Sequence, residues 1–113
     1  MLKDKTRKAI SSLIMLSLRG GNAVQTVKAA QDIFHTSWTE EDIQLLCSYI
    51  KEHDTLDWAN EIWPNGLEQV YKQLYFFTLK ATDFQLALWL EKTLNDGEKA
   101  LKYIISCEEE LND

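Results

Sequence analysis

Ser37-Trp-Thr-Glu-Glu-Asp-Ile-Gln-Leu-Leu-Cys-Ser-Tyr-Ile50 is the stretch whose reading decides the fold. Ile43, Leu46, Cys47 and Ile50 recur at the i, i+3, i+4, i+7 spacing of one helical face, the clearest periodicity in the chain. Ser37 and Glu40 have capping-box spacing, and Glu40, Glu41 and Asp42 fill a first turn where the helix dipole favours anions. A helix with so firm a start and a single apolar face must pack against others.

The neighbours supply them. Downstream, Lys51–Asp57 is polar and closes this helix, and Leu56, Ala59, Ile62 and Trp63 predict a short fourth one, ended by Pro64 and Asn65-Gly66. A fifth helix over 67–80 turns Leu67, Val70, Leu74 and Phe77 inward. Its further Tyr71, Tyr75, Phe76 and Leu79 make it apolar around much of its circumference, which predicts a central position. Thr82 and Gln85 form a second capping box. The helix it opens carries Phe84, Ala87, Leu88, Trp89, Leu90 and Leu94, expected mostly buried. After Asn95-Asp96-Gly97 a last helix runs to about Leu111 with Ala100, Leu101, Ile104 and Ile105 inside and a solvated, fraying Glu108–Glu110 end.

Upstream, Gly20-Gly21-Asn22 predicts a helix stop, with glycine at positive φ, and a cap for the next start. The second helix, 23–34, spaces Val24, Val27, Ala30 or Gln31, and Phe34 along one face. Before it, basic Lys3–Lys8 precedes an apolar run, as in a leader peptide. Serines interrupt that run and Arg19 ends it, so a helix of about 4–18 in the mature chain is expected, with Ile10, Leu13, Ile14 and Leu18 on one face. No segment reaches the roughly 20 apolar residues of a membrane span. The reading is all-α: one domain, 1–113, a compact orthogonal bundle of six or seven short helices.

Composition agrees. One proline and four glycines in 113 residues leave little room for a turn-rich β architecture, and 45% apolar residues suffice for a core. Cys47 and Cys107 lack metal or disulfide-framework spacing, which points to a reducing compartment. His35 and His53 stand apart with no partner ligand, and no nucleophile motif or phosphate-binding glycine loop occurs, so neither an enzyme, a metal nor a cofactor is expected. Charge is uneven beneath the net −6: residues 1–36 balance at +4 and residues 37–113 at −10. The acidic body argues against duplex DNA as a partner, because neutralising phosphates takes clustered Lys and Arg.

Two resemblances follow from these motifs. Trp38 and Trp58, with nineteen residues between them, and Phe77 at a similar interval resemble the aromatic spacing of Myb and SANT repeats, whose opening Trp38-Thr-Glu-Glu-Asp42 also resembles. A DNA-reading helix is not matched, since outward positions include Glu68, Tyr71 and Tyr75. The second resemblance covers about Ile10 to Phe77 and is to the C-terminal domain of the telomeric repressor-activator protein Rap. It is carried by Gly20-Gly21-Asn22, by Trp38, Thr39, Glu41 and Asp42, by Leu46, and by Gly66, Val70, Lys72, Leu74 and Phe76. The loop before Trp38 is shorter than in that family, and nothing beyond Ala81 has a counterpart there.

The Rap resemblance implies a nuclear, telomere- or chromatin-associated docking domain that receives a short amphipathic helix of another protein in a groove. Surplus apolar residues on the first helical hairpin, Leu13, Met15, Leu16, Leu18, Val24 and Val27, are the candidates to line it. Trp38 is expected to anchor the central helices. The alternatives are a SANT-like chromatin module and a small acidic inhibitor that mimics nucleic-acid charge.

Overall fold

The computed structural model describes residues 1–54 and 56–110, the last by its backbone alone. The described residues form an all-α bundle of six helices: α1 (Asp4–Ser17), α2 (Ala23–Phe34), α3 (Glu40–Glu52), α4 (Leu67–Lys80), α5 (Asp83–Leu94) and α6 (Gly97–Glu110). The expected last-helix end at Leu111 lies outside the described residues. No strand occurs among those described.

The bundle is organised around α5, which packs on α1, α2 and α6, while α4 closes the other side against α1, α2 and α3. Trp89 of α5 is fully buried with Leu86 and Leu90. Its indole N–H donates to the Thr26 carbonyl of α2 at 3.0 Å, so the largest core side chain leaves no polar atom stranded. Phe34 meets Trp89 edge-on at 5.4 Å, stacks on Phe77 at 4.3 Å, and Phe77 leads on to Trp38 at 6.2 Å. Trp38, expected to be the anchor, is thus only the half-buried outer end of an aromatic chain, donating to Gln73 Oε1, and the buried anchor is Trp89.

Several local expectations change. The cap of α3 is Thr39, whose hydroxyl accepts from the Asp42 N–H at 3.0 Å; Ser37 lies two residues too early. The Thr82/Gln85 capping box forms as read. Gly20 and Gly21 do not carry the positive φ; among the described residues the left-handed positions are His35, Asn95 and Gly66, at the ends of α2 and α5 and the start of α4. Asn22 makes no side-chain cap and instead donates across to the Thr93 carbonyl.

The expected fourth helix shrinks to one 3₁₀ turn, Trp58–Asn60. The Asn60 N–H donates to the Asp57 carbonyl and the Glu61 N–H to the Trp58 carbonyl, and aromatic contacts hold the rest of the loop. Trp63 lies between Tyr71 (5.1 Å) and Tyr49 (4.7 Å), its N–H donates to the Trp58 carbonyl, and the Tyr49 hydroxyl donates to the Ile62 carbonyl. Leu56 and Ile62, whose spacing suggested that helix, are exposed.

The expected fraying of α6 is also overturned at Glu108. Its carboxylate accepts from the Thr6 hydroxyl and the Lys3 N–H, while Asp83 accepts from the Leu2 N–H at 2.8 Å and from Arg7 at 2.6 Å. The Leu2 N–H, then Arg7, hold Asp83 below the usual carboxylate range; the Thr6 hydroxyl, then the Lys3 N–H, do the same for Glu108. A depressed folded pKa means that this stability is fully present above the ordinary carboxylate pKa of about 4. It is lost as pH falls through the folded value. The parent is therefore expected to lose more melting temperature between about pH 5 and pH 2 than an Asp83→Asn/Glu108→Gln variant does. Equal slopes for the two would show that the tether contributes nothing.

A candidate docking groove between the first and fourth helices

Helix α1 presents Arg7, Ser11 and Met15 at i, i+4 spacing, flanked by Asp4, Lys8, Ser12 and Leu16, to one edge of a groove of about 860 Å³, and Arg19, in the turn just past the helix, continues that edge. The opposite edge is α4, through Tyr71, Tyr75, Thr78 and Leu79. The helices run antiparallel: Arg7 reaches the Ala81 carbonyl, Ser11 contacts the Thr78 carbonyl at 3.4 Å, and Met15 and Leu16 lie toward Tyr75 and Tyr71. Leu56 and Trp58 close the far end, where Arg19 pairs with Asp54 at 2.6 Å and Lys72 stands 5.0 Å over the Trp58 ring. From Asp4 to Arg19 the groove extends roughly 22 Å at the 1.5 Å helical rise, room for about four turns of a second helix.

Four of the apolar residues here face solvent, while Tyr71 is buried and Met15 and Trp58 are half-buried. Leu16 is 51% exposed, Tyr75 46%, Leu79 61% and Leu56 69%. Large apolar side chains gathered in one concavity are uncommon on a solitary surface and mark places where another molecule binds.

Of the six residues expected to line a groove, Met15 and Leu16 do so. Leu18 (1% exposed) and Val27 (0%) do not: both are core, because the α1–α2 hairpin closes on α5 and buries its inner face. Leu13 packs half-buried against the core, and Val24 borders a separate depression with Lys92 and Asn95. The exposed apolar residue Leu16 of α1 thus lies on the face turned to α4, not on the one turned to α2. Tyr75, Leu79 and Leu56 were missed. The signal for Tyr75 and Leu79 was present in the surplus apolar circumference of α4, which was read as central burial. Phe84, Leu101 and Ile105, also expected inside, are exposed on α5 and α6.

Other chemistry is sparse. Burial pushes the Cys47 thiol up to about 11, so it stays protonated and unreactive. Burial, then neighbouring Glu61, raises the Tyr49 phenol. Among the described residues no three His, Cys, Asp or Glu side chains gather as a metal site, and no helix is long and apolar enough to cross a membrane. Comparison with protein-family models, curated proteins and solved structures finds no match.

Proposed function

We propose that this protein is a non-enzymatic docking module whose α1–α4 groove receives a short amphipathic helix of a partner protein. The observation that carries the reading is the convergence of exposed Leu16, Tyr75, Leu79 and Leu56 in one groove of helical length. Apolar residues at i, i+3, i+4 and i+7 of an incoming helix would enter it, with Tyr71 and Trp58 as a rigid aromatic end wall. The resemblance to the Rap C-terminal domain supports the same class of activity and points to a telomere or silencing protein as partner. An open apolar groove fits docking better than charge mimicry, which needs only a continuous acidic face.

The test uses a display library of 16-residue peptides with helical apolar stripes and the parent chain as bait. Selected peptides are expected to shift the NMR signals of Leu16, Tyr75 and Leu79. Leu79→Asp should weaken them about 30-fold or more, the effect of losing a central hot spot. Full binding by a folded Leu79→Asp variant, or shifts confined to α5 and α6, would overturn the assignment.

A further inference from the structure

Resting on that reading, we infer that the partner helix carries carboxylates along one flank, the flank that lies against α1. The two edges of the groove differ in charge. The α4 edge (Tyr71, Tyr75, Thr78, Leu79) is uncharged, whereas the α1 edge offers Arg7, Lys8 and Arg19 against a single acid, Asp4. This basic edge belongs to a protein whose net charge is −6.

The three cations are not equivalent. Arg7 is committed to Asp83 and to the Ala81 carbonyl. Lys8 is exposed and joins no ion pair among the described residues. Arg19 pairs with an Asp54 that is itself 74% exposed, so an incoming carboxylate competes with a weakly held partner. Lys8 on α1 and Arg19 in the turn just past its end both line the groove, eleven residues apart, or roughly 16 Å at the helical rise. A partner helix matching both would carry acids about three turns apart beside its apolar stripe. The asymmetry sets the rotation of that helix in the groove as well as its charge.

Anionic surfaces of other kinds fit less well. A membrane or duplex presents charge over a wide area and would meet the −10 carried by residues 37–113. A single helix meets only the groove.

The experiment repeats the display selection with the apolar stripe held as leucine and the flank positions randomised between glutamate and lysine. The parent chain should enrich glutamate on one flank, and a Lys8→Glu/Arg19→Glu variant should enrich lysine there. For a parent-selected peptide, binding to the charge-reversed variant should fall roughly fivefold or more at low salt, with the difference shrinking as salt is raised. Lys8→Glu alone breaks no ion pair and gives a smaller shift in the same direction, so the test survives if Arg19→Glu loosens the Asp54 end. Leucine-dependent enrichment with no charge preference would overturn this inference and leave the docking reading intact. No enrichment over a Leu79→Asp control would overturn both. Sedimentation of the chain with phosphatidylserine vesicles, or a dimer that Leu79→Asp dissociates, would give the groove to lipid or to a second copy and also overturn it.

Discussion

Replacing Trp89 with alanine is expected to cost about 3–5 kcal/mol, the range for deleting a large aromatic side chain from a packed core. Trp89 is fully buried on α5, the helix that contacts α1, α2 and α6, so the void opens where three packing interfaces meet. The Thr26 carbonyl also loses its indole donor. Domains of this kind are stable by roughly 5–15 kcal/mol, so this one change removes a large part of the margin. At several degrees per kcal/mol, the melting temperature should fall by roughly 12 °C or more. Trp89→Phe keeps part of the volume and loses mainly the hydrogen bond, and should cost less. Trp38→Ala acts on a half-buried ring at the outer end of the same aromatic chain and should cost less than Trp89→Ala. A thermal melt that ranked Trp38→Ala as the more damaging change would restore Trp38 as the anchor.

That reversal shows what periodicity does and does not reveal. The helices could be read because an amphipathic face needs only a local repeat: Ile43, Leu46, Cys47 and Ile50 are all buried, as their spacing requires. Which tryptophan lies deepest depends on how helices pack, and nothing local in Trp38-Thr-Glu-Glu-Asp42 distinguishes a rim aromatic from a core one. Residues 56–63 show a different limit. Their apolar spacing suits a helix, but Trp63 finds Tyr49 and Tyr71 by stacking, and the chain forms only one 3₁₀ turn. The groove lies at the same boundary between local and tertiary information. A helix apolar on most sides, as α4 is, can be buried all round or can hold out a docking face. Burial is the commoner use of that pattern, and only the position of α5 at the centre leaves Tyr75 and Leu79 outside.

The sharpest consequence concerns two leucines of one helix end. Leu16 and Leu18 were both groove candidates, yet two residues turn the side chain by about 200° around the axis. The structure has Leu16 half in solvent and Leu18 1% exposed. Leu18→Asp therefore forces a carboxyl group among Ile10, Ile14 and their neighbours with no cation to meet it, a burden of several kcal/mol. The variant should unfold or melt far below the parent at neutral pH. Burial raises the folded pKa of such a group, so the folded state holds the proton more tightly than the unfolded chain. Its deficit should accordingly shrink as pH falls toward about 4. Leu16→Asp behaves oppositely. Its carboxylate stays in water near the end of α1, where an unfavourable helix dipole costs at most about 1 kcal/mol, so the helical spectrum and melting curve change little. It should nonetheless lose groove-directed peptides, because a charge now stands in the apolar floor. Unfolding by Leu16→Asp would remove Leu16 from the docking surface. A folded Leu18→Asp with the parent's melting curve would show that the α1–α2 hairpin does not close on α5 as described.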